Sequence, residues 1–189
     1  MWGINFVVLS IVFFAIACVQ KSKPTYWVYE TEYFNIFGKP RGMTFDTVLT
    51  IKDTIVNGEK YVKLTNGKYV KFGECLKYFD IYNGFEQELY PEILCDSSFV
   101  RVLQLWPPVS LENKFVRSIS RVCLDTSFNI NEVDYPVSAY FSDSTKAEQG
   151  NSWYEKRIDY YNCDVGIIRI EFVNEYGLPS MIVTLKDVK

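Results

Sequence analysis

The chain of 189 residues contains no histidine, and this absence limits the chemistry open to its side chains. Ser-His-Asp and Cys-His nucleophile systems need an imidazole, which is also the side chain that most often transfers protons near neutral pH. Neighbouring carboxylates such as Glu30 and Glu32 share a strand face only because strands alternate, and the sequence gives no separation of the kind that a glycosidase pair requires. We therefore predict no enzyme activity, no catalytic residues, no metal site and no cofactor.

Cys18 has a clearer chemical role because of the residues that precede it. Residues 6–17, FVVLSIVFFAIA, contain one polar side chain and end with small residues at Ala15 and Ala17. A spanning helix needs about 20 apolar residues, so this shorter run fits the core of a signal peptide followed by its cleavage site. The string Ala15-Ile16-Ala17-Cys18 resembles a bacterial lipobox, in which the cysteine thiol receives a diacylglycerol and becomes the new N-terminus.

The sequence thus predicts a lipoprotein signal peptide at 1–17, a lipidated N-terminus and tether at 18–25, and a single β-rich extracytoplasmic domain at 26–189. Lipid chains attached at Cys18 would hold the protein on a membrane, since several acyl chains anchor firmly where one does not. Val19 is not the aspartate that commonly retains lipoproteins at the inner membrane, which implies the outer membrane. No acidic cluster follows Cys18, so we expect a periplasm-facing domain in the cell envelope.

Two alternatives for the N-terminus stay open. Position 15 lacks the usual leucine of a lipobox, and residues 1–5 carry no lysine or arginine. The same small residues suit ordinary cleavage, which would release a soluble secreted protein. An apolar run counted from Trp2 to Val19 could instead serve as an uncleaved anchor, with the following lysines in the cytoplasm.

The remaining cysteines are Cys75, Cys95, Cys123 and Cys163. An even set in an exported chain indicates one or two disulfides, and four cysteines allow three pairings among which the sequence does not choose. Buried free thiols are the alternative. A four-cysteine zinc site is disfavoured because close Cys-x-x-Cys spacing is missing.

Aromatic residues make up 17% of the chain and give the only other hint of binding. If exposed, they would form a platform for a sugar or a peptide, and if buried they would be sheet core and cross-strand pairs. We favour burial, because aromatic residues commonly fill small β domains. The residues concerned are Tyr26, Trp27, Tyr29, Tyr33, Phe34, Trp153, Tyr154, Tyr160 and Tyr161.

Alternation of apolar and polar residues predicts antiparallel strands with one buried and one wet face. It is clearest at 47–51, 168–172 and 181–185, and Asn-Gly pairs at 57, 66 and 83 favour type I′ hairpin turns. We predict strands near 43–55, 59–65, 68–81, 84–90, 115–124, 134–142, 152–162, 166–174 and 180–187, and an exposed loop at 142–152. Such strands must cover their apolar faces, so the expected fold is all-β: an antiparallel meander forming a strongly curved sheet, a barrel or a sandwich.

Two stretches are similar to segments of small uncharacterised β-rich lipoproteins common in Bacteroidota. They are LTIKDTIVNGEKYVKL at 49–64 and DYYNCDVGIIRIEFVNEYGLPSMIVTLKDVK at 159–189. Those proteins combine an early strand and Asn-Gly hairpin with a late Tyr-Tyr, a Val-Gly-Ile strand and a Leu-Lys-Asp last strand. The resemblance implies an all-β fold and a bacterial envelope origin, and it implies no catalytic residues.

Two functions are consistent with these features. The first is a membrane-anchored structural or interaction module that presents a surface to an envelope protein. The second is a carrier that holds a lipid or other small apolar ligand against the concave side of the curved sheet. Nucleic acid is not an expected partner, because the net charge of −3 gives no concentrated basic face.

Overall fold

The computed structural model describes residues 23–82, 85–91, 94–104, 114–148 and 151–189. The predicted signal peptide at 1–17 and Cys18 lie outside these residues. The strands are β1 (Tyr26–Phe34), β2 (Pro40–Val56), β3 (Glu59–Leu64), β4 (Tyr69–Phe72), β5 (Leu76–Tyr82), β6 (Phe85–Glu88), β7 (Ser97–Gln104), β8 (Lys114–Ile130), β9 (Val133–Glu148), β10 (Asn151–Asn162), β11 (Gly166–Val173) and β12 (Pro179–Val188). In this described part, no helix is long and apolar enough to cross a membrane.

All twelve strands belong to one antiparallel sheet, in the order β6-β5-β4-β3-β2-β1-β12-β11-β10-β9-β8-β7. The chain forms two successive meanders, β1 to β6 and β7 to β12. They meet where the first strand pairs with the last, with Trp27 opposite Val188 and Tyr33 opposite Met181. The Thr25 amide donates to the carbonyl of Lys189 at 2.5 Å, so the two ends of the domain are joined in the middle of the sheet.

The sheet is open and strongly curved. β5 and β11 are six positions apart in the strand order, which in a flat sheet would separate them by about 29 Å. Instead they touch: a Cβ built on Gly166 of β11 would lie 2.5 Å from Cε2 of Tyr78 in β5. A disulfide between Cys75 and Cys163 joins the same two regions. The all-β antiparallel fold predicted from the sequence is confirmed, in its curved single-sheet form.

The core fills the concave side of this sheet. Trp27 of β1 is fully buried, and its Nε1 donates to the carbonyl of Val165 at 2.9 Å, which connects the two meanders. Ile168 and Leu185 bury the alternating apolar face that the sequence predicts for β11 and β12. The largest fully buried side chains are Trp27, Tyr61, Leu64, Ile168, Leu185 and Val70.

Several local predictions differ from the structure. The predicted strand 68–81 is divided into β4 and β5 by a bend at Gly73–Cys75. The predicted loop 142–152 is largely strand, because β9 and β10 form a long hairpin in which Ser152 pairs with Ala147. β1 and β7, which the sequence patterns did not single out, are strands of the same sheet.

The Asn-Gly turns follow the prediction at one position. Asn57 and Gly58 have φ of 51° and 83°, as a type I′ turn requires. At Asn66-Gly67 only the glycine has a positive φ, and the Leu64 amide donates to the Lys68 carbonyl across a longer turn. The turn predicted at residues 83–84 lies outside the described residues.

Candidate functional site

A cavity of about 450 Å³ lies in the concave side of the sheet, where the two meanders face each other. Tyr29 of β1, Val48 of β2, Val183 of β12 and Ile170 of β11 line it, on four strands that are consecutive in the sheet. The volume falls within the range of small-molecule pockets, which are mostly apolar with a few placed polar groups. No single hairpin forms this cavity, because its walls come from strands at both ends of the sequence.

Two tyrosine hydroxyls lie deep in the cavity. The Tyr29 hydroxyl donates to the Ile167 carbonyl at 3.1 Å, and Tyr78 is hydrogen bonded to Tyr29 and to the backbone of Ile167. Burial raises the pKa of Tyr78 to about 12. Burial, and then the neighbouring Tyr78, raise the pKa of Tyr29 well above its usual value. Both side chains are therefore neutral hydrogen-bonding groups at physiological pH.

Gly166 allows Tyr78 to occupy this position. Its φ is +85°, a region that other residues rarely adopt, and any Cβ would lie 2.5 Å from Cε2 and 2.7 Å from the hydroxyl oxygen of Tyr78. The Tyr78 ring fills the space that a side chain at position 166 would need. The close approach of β5 to β11 at this point therefore depends on the absence of a side chain at position 166.

The mouth of the cavity is polar. Asp46, Thr47 and Asn66 line it and are exposed to solvent. The Lys68 ammonium lies 5.7 Å from the centre of the Tyr78 ring, at a distance where a cation is attracted to the ring face. The arrangement provides apolar walls inside and charges of both signs at the opening, so it suits a molecule with an apolar body and a polar end.

A second cavity, of about 330 Å³, lies beside the Cys75–Cys163 disulfide. Tyr90, Tyr140 and Tyr161 line it, with Tyr90 and Tyr161 stacked at 5.3 Å between ring centroids. These rings pack tightly against one another, so this part of the concave side is mainly aromatic core.

A buried charged network borders that core. Asp159 accepts from Arg157 Nε at 2.5 Å and from the Tyr90 hydroxyl at 3.0 Å, and Arg157 Nη2 lies 3.2 Å from the same hydroxyl. Burial, followed by the negative charge of Asp159, raises the pKa of Tyr90. Each carboxylate oxygen of Asp159 has a donor, as buried charges require. The network joins the segment after β6 to β10 and has a structural role in this geometry.

The cysteines take different positions. Cys75 and Cys163 are bonded to each other, and Cys95 is also in a disulfide. Cys123 belongs to β8, but its side chain and Cys18 lie outside the described part of the chain. Cys95 lies in the turn before β7, where the Asp96 amide donates to the Arg121 carbonyl of β8.

The aromatic residues that the sequence singled out have divided roles. Trp27 and Tyr161 are core, Tyr29 lines the larger cavity, and Tyr33 is 41% exposed. The side chains of Trp153 and Tyr154 are not among those described. Sequence reasoning did not identify Tyr78 or Gly166 as site residues. The Val165-Gly166-Ile167 string preceding an alternating strand was the available signal, because an isolated glycine there suggests close approach of another group.

Comparisons with known proteins support the fold. No protein-family model matches the chain, and no curated protein matches it. Among solved structures, a candidate lipoprotein from Parabacteroides distasonis is similar, with a TM-score of 0.51 and 12% identity over 89% of this chain and 96% of that chain. A candidate exported protein with a YmcC-like fold from Bacteroides fragilis has a TM-score of 0.45 and 11% identity over the same shares. At such identity the first likeness establishes a shared fold, in keeping with the Bacteroidota resemblance of the sequence.

Proposed function

We propose that this protein is a lipoprotein of the bacterial cell envelope, anchored through Cys18. The Ala15-Ile16-Ala17-Cys18 string supports the anchor, and the description of the Parabacteroides distasonis neighbour as a candidate lipoprotein agrees with it. β1 begins at Tyr26, so seven residues separate the acyl acceptor from the sheet. Val19 favours delivery to the outer membrane, with the domain facing the periplasm.

The anchor is tested by intact mass. Protein extracted from membranes of a lipoprotein-processing bacterium should begin at Cys18 and carry acyl mass, and a Cys18→Ala variant should carry none. An unmodified chain in the soluble fraction, or a chain still beginning at Met1, would refute the lipoprotein proposal.

Within that setting, the domain binds a small amphiphilic ligand in the larger cavity. The observation that supports this proposal is the cavity itself: about 450 Å³, with walls of tyrosine, isoleucine and valine and a polar mouth. Clefts of this size that are open to solvent, mostly apolar and lined with a few polar groups are typical sites for small molecules. The proposal includes no catalytic step, no metal, no cofactor and no nucleic acid.

The carrier function is tested by filling the cavity. Val183→Trp places a larger side chain between the walls, whereas Ile55→Trp adds a ring at a position that is 68% exposed. Titration with the apolar fluorophore N-phenyl-1-naphthylamine should show saturable binding to the wild type and to the Ile55 variant, weakened about tenfold or more by Val183→Trp, the loss expected when about 1.4 kcal/mol of binding is removed. Equal binding by all three proteins would exclude the cavity as the site.

A second candidate function, interaction with an envelope protein, is favoured by an exposed apolar row on β2. Met43, Phe45 and Leu49 share one face of the strand and are 56%, 60% and 45% exposed. Apolar surfaces of this kind, rimmed by polar residues, often mark contact sites. A photo-crosslinking side chain at Phe45 should give a discrete protein adduct in cells, and one at exposed Asp53 of the same strand should not. Identical patterns at both positions would count against a partner.

A further inference from the structure

Two hairpin turns at one end of the sheet share a five-residue pattern. Asn35-Ile36-Phe37-Gly38-Lys39 joins β1 to β2, and Asn174-Glu175-Tyr176-Gly177-Leu178 joins β11 to β12. Each begins with asparagine, has an aromatic residue at the third position and has a glycine with positive φ at the fourth, +72° and +77°. The two hairpins are adjacent in the sheet, because β1 pairs with β12 and Tyr33 lies opposite Met181, so their tips lie side by side.

Both tips are held rigidly by the same contacts. Oδ1 of Asn35 accepts from the amides of Phe37 and Lys39 at 2.9 and 3.0 Å. Oδ1 of Asn174 accepts from the amides two and four residues on, both at 3.0 Å. Nδ2 of Asn174 also donates to the Ile36 carbonyl at 3.1 Å, which ties the two turns together. The tips form one preorganised unit.

This unit exposes apolar side chains at its apex. Phe37 is 73% exposed, Tyr176 is 69% exposed and Ile36 is 63% exposed. Rigid turns do not need apolar residues at these positions, since the capping is done by asparagine and glycine. Exposed aromatic side chains of this kind are enriched at the interface between membranes and water.

We propose that the paired hairpin tips insert into the interface of a lipid bilayer with anionic headgroups. Lys39 and Arg41 are exposed beside the tips, against one exposed acid, Glu175. The excess of cations complements anionic lipid, and each lysine or arginine near such a surface strengthens binding. The apolar side chains at the apex are more than 60% exposed, and a fluid interface accommodates such side chains without a preformed recess.

The proposed anchor is compatible with this contact. The tips lie at the far end of β1 from Tyr26, and the nine residues of β1 span about 30 Å. The stretch from Cys18 to Thr25 reaches at most about 25 Å when extended. The tips can therefore touch the bilayer that holds Cys18 when the strands are inclined to its surface. The domain would then be held at two points.

Depth-dependent quenching tests the insertion. The full chain, purified with its own N-terminus, is reconstituted on vesicles of phosphatidylcholine and phosphatidylglycerol that carry bromines on the acyl chains. Phe37→Trp places a reporter at the apex, and Ile55→Trp places one at an exposed position beyond the opposite end of β1. The added fluorescence should be quenched by the bromines in the Phe37 variant and not in the Ile55 variant.

Further variants separate the contributions. Tyr176→Ser in the Phe37→Trp background should reduce the quenching, and Lys39→Gln should weaken the contact about fivefold, the effect of one basic charge. On vesicles of phosphatidylcholine alone, which carry no net charge, the quenching of the Phe37→Trp reporter should also be lower. A reporter at position 37 that stays unquenched on anionic vesicles would overturn the proposal. A discrete protein adduct from a photo-crosslinking side chain placed at position 37 in cells would then identify a protein-binding tip. The N-terminal mass is read from the same sample, so loss of the anchor and failure of insertion are distinguishable.

Discussion

Substitution of Gly166 by alanine tests how the cavity and the sheet curvature depend on the close approach of Gly166 to the Tyr78 ring. Alanine at φ +85° is strained, by about 1 to 2 kcal/mol. Its Cβ would also lie 2.5 Å from Cε2 of Tyr78. Because Tyr78 is buried in the core, relieving the overlap requires overpacking that typically costs about 1 to 3 kcal/mol. We expect Gly166→Ala to lower the free energy of unfolding by about 2 to 5 kcal/mol in total.

Gly67→Ala is the matched control. Gly67 has φ +83°, but nothing lies within 4 Å of a Cβ built there. Its substitution should therefore show the backbone strain alone, about 1 to 2 kcal/mol. Urea unfolding followed by the fluorescence of buried Trp27, with the disulfides intact, gives both values. A Gly166→Ala variant no less stable than the Gly67→Ala variant would refute the close-approach argument.

A double-mutant cycle then locates the cause. Replacing Tyr78 by leucine removes the ring, so Gly166→Ala should cost less in that background by about 1 to 2 kcal/mol, a coupling typical of residues in contact. An unchanged cost would mean that the strain lies in the backbone and not against the ring.

Three further predictions concern stability. Asp159→Ala removes the buried carboxylate that pairs with the partly buried Arg157 and should lower the free energy of unfolding by about 3 kcal/mol, with Asp159→Asn less severe, as measured by urea unfolding. Replacing Cys75 and Cys163 by serine removes a disulfide whose cysteines are 88 residues apart. The chain-entropy relation then predicts that the free energy of unfolding falls by about 4 to 5 kcal/mol. A thermal midpoint equal to that of the wild type would contradict this prediction. The pKa of Tyr78 is about 12 in the folded chain and about 10 when unfolded. The contribution of this raised pKa to the free energy of unfolding is therefore complete below pH 10 and is lost as the pH rises to 12. The urea midpoint should fall more steeply over this range in the wild type than in Tyr78→Phe.

The sequence predicts the architecture well because its signals are local. Asn57-Gly58 specifies its turn, and the alternation around Ile168 specifies a strand with one buried face. On β2 the same pattern identifies the strand but not its buried face: Val48 is buried and Leu49 is 45% exposed. Exposure depends on what covers a strand, and period-two alternation carries no information about that.

The cavity could not be predicted in this way. Its walls combine Tyr29 and Tyr78 from the first meander with Ile170 and Val183 from the second. These contacts depend on the pairing of β1 with β12, which joins residues from 148 (Tyr33 and Met181) to 161 (Trp27 and Val188) positions apart in sequence. No turn motif specifies that pairing. The hairpin tips are the opposite case, since the repeated Asn-x-aromatic-Gly pattern is visible in the sequence and only its exposure required the structure.

The position of the seam between β1 and β12 provides a way to separate the two proposed functions. A ligand in the cavity contacts Tyr29 and Val48 on one meander and Ile170 and Val183 on the other. It therefore binds only while β1 and β12 are paired. Occupancy at 100 times the dissociation constant should stabilise that closed form by about 2.7 kcal/mol. Amide hydrogen exchange in β1 and β12 should then slow markedly when the fluorophore is added. A protein bound at Phe45 contacts the opposite face of β2 and would protect that strand without closing the seam. Protection confined to β2 would therefore reject the carrier and leave the interaction function.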